Sequence, residues 1–354
     1  MKPRAETTPS PNFATPSDIL STQQIREMWE RMEPIRFGDP VLAQESLKFH
    51  AVYFPLGFPL TIATNSPAVL EAARQSWGHF TRQFETDPIR LQIGVTEGES
   101  RICPPTSICR MRDHLVTNIA DGENFAICDQ SQGSGMIWVT QAALEHTDYF
   151  RYFFLESTAM CCISGRYAAG IHAGCVSLDG QAVLLCGDSG AGKSTLSYAC
   201  ARAGWTYTSD DGCYLVHGRK NRLVAGNCHQ FRFRPTAESL FPELHGLPAM
   251  QRAGVGKPSI EFPTGLSESI RTANTARVKH IVFLKRNVPT QTLAEFPVPV
   301  ARLCMQQMVD SMPYNSAIKM QSIDHLLEAG TYELQYNDLD WAINRLARLV
   351  REGC

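Results

Sequence analysis

The 354-residue sequence has almost no excess of either charge, since 33 Lys and Arg against 35 Asp and Glu leave a formal net charge of −2. That balance leaves no electrostatic footprint for nucleic acid or an anionic membrane. No apolar run reaches the roughly 18 residues that a membrane span needs. The opening stretch, MKPRAETTPSPNFATPSD, has no apolar core of the signal-peptide kind, so secretion is not expected. None of the 12 cysteines falls in Cys-x-x-Cys spacing, and Cys128, Cys175, Cys186 and Cys200 sit in apolar runs where a thiol acts as a small hydrophobe. Neither a structural zinc site nor a disulfide framework is expected, and the composition fits a cytoplasmic protein. No internal repeat is evident.

What is present is enough apolar residue, 44%, to bury a sizeable core, and a length that suggests two domains. Residues 1–20, rich in Pro, Thr and Ser, read as a disordered tail. A small α+β domain is expected over 21–147. Ser21 and Gln24 form a capping-box pattern for a helix reaching about Met32. Ser66 and Pro67 start a second helix, which Gly78 closes. Ile89, Leu91, Ile93 and Val95 alternate with polar residues as in a half-buried strand, and Asp121-Gly122 predicts a hairpin. This region carries no catalytic motif. The aromatic-rich helix from Asp148 to Ser164 is read as core or domain seam rather than a ligand box.

The second domain, 148–354, is organised around Gly187-Asp188-Ser189-Gly190-Ala191-Gly192-Lys193-Ser194-Thr195, which satisfies Gly-x-x-x-x-Gly-Lys-[Ser/Thr]. Glycines let the backbone curl so that its N–H groups converge on an anion. The following helix adds a positive dipole end, Lys193 a charge for the outer phosphates, and Ser194 a hydroxyl for Mg²⁺. The context agrees: Ala182 to Cys186 is an apolar strand, and Leu196, Ala199, Cys200 and Ala203 follow at helical spacing before Gly204. Upstream, Gly170 to Leu178 is read as a strand that Asp179-Gly180 turns back on the loop strand. That antiparallel hairpin brings His172 beside the loop.

Downstream, Asp210 and Asp211 close a short strand, and adjacent strand residues point to opposite faces. One carboxylate is expected toward the metal and the other toward an acceptor hydroxyl. Arg232 and Arg234 alternate on a further strand and could neutralise a transferred phosphoryl group. The basic cluster Arg219, Lys220 and Arg222 is read as a solvated turn, residues 236–276 as a looser stretch, and Lys257 as part of a flexible segment near the site. Asp338 is expected to cap the last helix.

These residues resemble the bacterial HPr kinase/phosphorylase family and its kinase-like relatives, through the hairpin bearing His172, the loop GDSGAGKST and the pair Asp210-Asp211. The resemblance implies a compact α/β P-loop kinase domain related to phosphoenolpyruvate carboxykinase, here preceded by a small α+β domain. It implies His172 and Asp210 in proton transfer, Lys193 and Ser194 on ATP and Mg²⁺, and Asp211 as a metal neighbour. Assembly into homo-oligomers is implied as well. The family's Glu-Ile-Arg-Gly-Leu-Gly stretch is absent, and Gln230-Phe231-Arg232-Phe233-Arg234-Pro235 stands near its place. The layout is similar to HPr-kinase-like enzymes of peptide-modification pathways, including those acting on lasso-precursor peptides. The expected activity is ATP-dependent transfer of the γ-phosphoryl group to a hydroxyl, Ser foremost, of a protein or peptide. The alternatives are an ATP-binding regulatory module and a small-molecule, carboxykinase-like enzyme.

Overall fold

The computed structural model describes residues 21–31, 46–218, 221–252, 255–310 and 314–353. The expected tail at 1–20, Met32, Arg219, Lys220 and Gly254 lie outside the described residues. Helix α1 (Thr22–Glu30) opens on the expected reciprocal cap. The Ser21 hydroxyl accepts from the Gln24 amide, and the Ser21 amide donates to the Gln24 side chain.

A first sheet of seven described strands comprises β1 (Phe49–Tyr53), β2 (Leu60–Thr64), β3 (Ile89–Thr96), β4 (Ile108–Arg112), β5 (Leu115–Ile119), β6 (Phe125–Asp129) and β7 (Ser134–Thr140), in the order β1-β2-β3-β7-β6-β5-β4. β2, β3 and β7 run parallel, and the outer pairs are antiparallel. The β5–β6 hairpin is the expected one, with a wider loop than two residues. Ile119 pairs with Phe125, and the Asp121 carboxylate closes the loop by accepting from the amides of Glu123 and Asn124.

Helix α2 (Pro67–Trp77) crosses between β2 and β3, and α3 (Gln141–Glu145) follows β7. Next comes one long helical run: α4 (Thr147–Phe150), a π-helical stretch Arg151–Glu156, and α5 (Ser157–Arg166). Phe150, Phe153, Phe154 and Ile163 on this run pack with Ile89, Leu91 and Ile137 into one core under the sheet. The aromatics of the 148–164 helix are therefore core residues, with Tyr152 turned outward. The expected division at 147/148 separates this helix from the sheet it covers, and by packing the change of core comes after Arg166.

The second sheet contains β8 (Ala168–Ile171), β9 (Gly174–Leu178), β10 (Gln181–Cys186), β11 (Thr206–Ser209), β12 (Cys213–Val216) and β13 (Leu223–Gly226). A separate small sheet is built from β14 (Gln230–Phe233), β15 (Ala249–Arg252) and β16 (Val255–Pro263) in the order β14-β16-β15. The stretch read as loose thus contains two paired strands, β15 and β16, with short 3-10 turns on either side of them. β17 (Arg271–Thr272), β18 (Thr275–Arg286), β19 (Thr292–Glu295) and β20 (Gly330–Tyr336) complete the second sheet. Its helices are α6 (Lys193–Arg202), α7 (Val298–Met308), α8 (Ser316–Leu326) and α9 (Leu339–Glu352), the last capped by Asp338 on the amide of Trp341.

β10 lies at the centre, antiparallel to β9 and parallel to β18. Val183 and Leu185 join the core under α6 and α9, whereas Ala182, Leu184 and Cys186 join the core under α7 and α8. Burial on both faces explains why this strand reads as an unbroken apolar run. The whole is a mixed α/β architecture, and among the described residues no helix is long and apolar enough to cross a membrane.

Candidate functional site

The two-residue turn between β9 and β10 holds Asp179 at φ 50° and Gly180 at φ 78°. Both are left-handed, as a tight hairpin matched to strand twist requires. The expected continuous strand at 170–178 is broken, however. Ala173 N–H bonds back to the Ile171 carbonyl, and His172 N–H is held by the Met308 carbonyl. His172 thus sits at a kink between β8 and β9, leaves both ladders, and points at the far side of the loop. Its Nδ1 lies 3.2 Å from Asp211 Oδ1, with both side chains about half exposed.

The phosphate loop leaves β10 at Cys186 and enters α6 at Lys193, with Gly187, Gly190 and Gly192 at φ 148°, 92° and 99°. A side chain at Gly192 would be strained at that φ and would also strike the Tyr336 hydroxyl, which donates to the Ala191 carbonyl. Lys193 is buried, and its Nζ donates to the carbonyls of Gly187 (2.7 Å) and Asp188 (3.2 Å). Burial lowers its pKa, opposed chiefly by the Asp211 carboxylate. The loop is thus curled around its own ammonium group.

Asp210 and Asp211 lie just past β11, and the fold separates them sharply. Asp210 is 4% exposed. Its Oδ2 accepts from Arg232 N–H at 3.0 Å and its Oδ1 from the Tyr207 hydroxyl at 2.9 Å. Burial raises its pKa to about 6, against the lowering effect of the Arg232 amide; Asp211 adds to the rise, and the Tyr207 and Ser194 hydroxyls oppose it. The Tyr207 hydroxyl has one proton but two acceptors, the second being the Gln230 carbonyl at 2.8 Å. A protonated Asp210 could donate to Tyr207 and free that proton for Gln230, which suits a raised pKa.

A cavity of about 520 Å³ is lined by Ser189, Gly190 and Gly192 to Thr195 of the loop and by His172, Asp211, Arg232, Arg234, Lys257 and Arg286. That volume suits a nucleotide-sized ligand. Arg232 is steadied by Ser259, on which its Nη2 donates at 3.0 Å, and by Glu261 at 3.4 Å. Lys257 stands on strand β16, not in a loop. Of the residues singled out from sequence, His172, Asp211, Arg232, Arg234, Lys193, Ser194 and Thr195 reach one cavity, while Asp210 lies buried behind it. Gly187, Asp188 and Ala191 shape the loop without lining the cavity.

Arg286, Tyr152 and Tyr207 carry no motif and escape sequence reasoning. A signal for Arg286 did exist. It ends an apolar strand parallel to β10, and parallel neighbours deliver their C-terminal ends to the same edge. Tyr207 could not have been found, because its role depends on β11 and β14 meeting.

No protein-family model and no curated protein matches the chain. Among solved structures it is similar to the Hpr(Ser) kinase/phosphatase from Coxiella burnetii, with a TM-score of 0.28 and 15% identity over 52% of this chain and 99% of that one. A likeness so slight decides neither the fold nor the chemistry, which rest on the residues themselves.

Proposed function

We propose that the protein is a kinase that moves the γ-phosphoryl group of ATP to a hydroxyl of a protein or peptide. The observation carrying this reading is the single cavity in which a phosphate-binding loop faces the His172–Asp211 pair across a ring of basic side chains. The loop amides, the α6 N-terminus and Lys193 bind and orient the triphosphate. Arg232, Arg234 and Arg286 supply positive charge where the transferred group gathers negative charge.

The roles of the two aspartates follow from their surroundings. Asp210 is buried and reaches the Ser194 hydroxyl, so in its ionised form, reached above about pH 6, these two would offer hard oxygen donors to Mg²⁺. When bound there, Mg²⁺ screens the charge of the terminal phosphates. Asp211 is open to the cavity with its Oδ1 3.2 Å from His172 Nδ1, so it accepts the proton of the acceptor hydroxyl, with His172 orienting it. The residues alone leave open which aspartate is the base, and the family resemblance implies the reverse, Asp210 in proton transfer and Asp211 beside the metal. The reversed assignment fits better because a base must touch its substrate.

Transfer of label from γ-labelled ATP to candidate protein and peptide acceptors tests the reading. Asp211→Asn and His172→Asn are expected to lower transfer by about 10²-fold or more while leaving nucleotide affinity within a few-fold. Asp210→Asn is expected to weaken Mg²⁺-dependent nucleotide binding itself. Tight ATP binding with no label leaving for anything but water would reduce the protein to a nucleotide-responsive module.

A further inference from the structure

Among the described residues, the first sheet buries only one of its faces. Its helices pack against the side bearing Leu60, Leu91, Ala126 and Ile137, all buried. On the opposite side the strand register sets out a row from His50 through Gln92 and Met136 to Ile127, ending at Arg110. A recess of about 440 Å³ lies along it, with Arg90, Gln92, Ile127 and Met136 in its lining. Beside the recess, Ile108 and Ile119 pair across β4 and β5 and are 60% and 45% exposed. Contiguous exposed apolar surface of this kind marks an interaction site.

The charge on this face is predominantly positive. Arg90, Arg110 and Arg112 are exposed on it, against one carboxylate in the same rows, Asp129, which also lines the recess. The Asp129 Oδ1 accepts from the amides of Ser131 and Gln132 and from the Ser131 hydroxyl, which hold it beside its own turn. Two copies meeting through this face would bring three arginines on each side together against a single carboxylate. A flat bilayer would leave the recess unfilled. We infer that this open face docks an acidic amphipathic segment of the phosphoryl acceptor. Its apolar side chains cover Ile108, Ile119 and Ile127, and its carboxylates meet Arg90, Arg110 and Arg112. The inference rests on the kinase reading only in assigning the segment to the acceptor.

The test is selection from a display library of random peptides on the full chain without nucleotide, counter-selected on an Arg110→Glu/Arg112→Glu/Ile119→Asp variant. These positions are exposed, and matched thermal unfolding of the two proteins establishes that the variant is folded. Enriched peptides should combine Glu or Asp with Leu, Ile or Phe, bind the parent at least tenfold more tightly than the variant, and weaken as salt rises. Peptides without acidic enrichment, or equal binding to both proteins, overturn the inference. So does co-sedimentation with phosphatidylserine vesicles that the variant loses, or a concentration-dependent dimer that it loses. Fusing a selected peptide to a serine-containing tail separates the two readings. Docking without label transfer sinks the kinase assignment alone, and equal labelling of a generic acceptor by parent and variant, with no peptide selected, sinks the docking surface alone.

Discussion

At the scale of single residues, the burial of Asp210 governs how stability responds to pH. Asp210 has a folded-state pKa near 6, against an ordinary value of 3.8. The folded protein therefore holds its proton more tightly than the unfolded chain does. Below 3.8 both states are protonated and no penalty exists, and above about 6 both are ionised and the penalty is complete. Stability is lost as pH rises between those values, by about 3 kcal/mol for a shift of this size. Denaturant unfolding of the parent minus that of Asp210→Asn should show this slope across the window and be flat outside it. A flat difference throughout would remove the strain assigned to this carboxylate. Lys193 is the other residue whose burial is informative. Lys193→Met removes the ammonium around which the loop is curled, and nucleotide affinity measured by calorimetry should fall by about 10²-fold or more.

At the scale of elements, the β10–loop–α6 unit depends on three left-handed glycines and on the strand beside it. Gly192→Ala places a methyl at φ 99° and against the Tyr336 hydroxyl. About 1–3 kcal/mol of destabilisation is expected from the backbone strain, and the Tyr336 bond to the Ala191 carbonyl should be lost with it. Thermal unfolding and nucleotide titration would register both effects, whereas Gly180→Ala, with open space around it, should disturb the hairpin turn while sparing the loop geometry. The kink at His172 is equally an element-scale feature. It exists because β8 pairs with β12 while β9 pairs with β10 and β11, so the chain must leave one ladder before joining the next.

At the scale of the whole molecule, the two sheets share packing. The core under the first sheet continues into Ala168, Val216 and Ala225, which belong to strands of the second. Phe58 stacks on Tyr167 at 5.5 Å, and the Tyr167 hydroxyl donates to the Asp87 carbonyl. Such continuity predicts one cooperative unfolding event. With the other three tryptophans replaced by Phe, fluorescence of Trp77 on α2 and Trp138 on β7 and far-ultraviolet dichroism should melt together. Two separated transitions, with the first sheet melting alone, would show that the shared packing does not couple them.

The sequence by itself determined the local features. The phosphate loop, the strand and helix around it, the Asp179-Gly180 turn and the caps at Ser21 and Asp338 all depend on neighbours within a few positions, where backbone sterics and hydrogen bonding act directly. It also marked His172, Asp211, Arg232 and Arg234 as residues to watch. What only the tertiary structure decided is which of them meet and on which side. Whether Asp210 or Asp211 faces the cavity turns on Tyr207 and the Arg232 amide, brought together from β11 and β14. That the aromatic helix at 147–166 covers the first sheet, and that the sheet's other face stays open among the described residues, likewise depend on packing between distant segments. The physical reason is that turns and caps are set by short-range sterics, whereas burial is a property of the assembled whole, and burial is what separates two adjacent carboxylates in exposure.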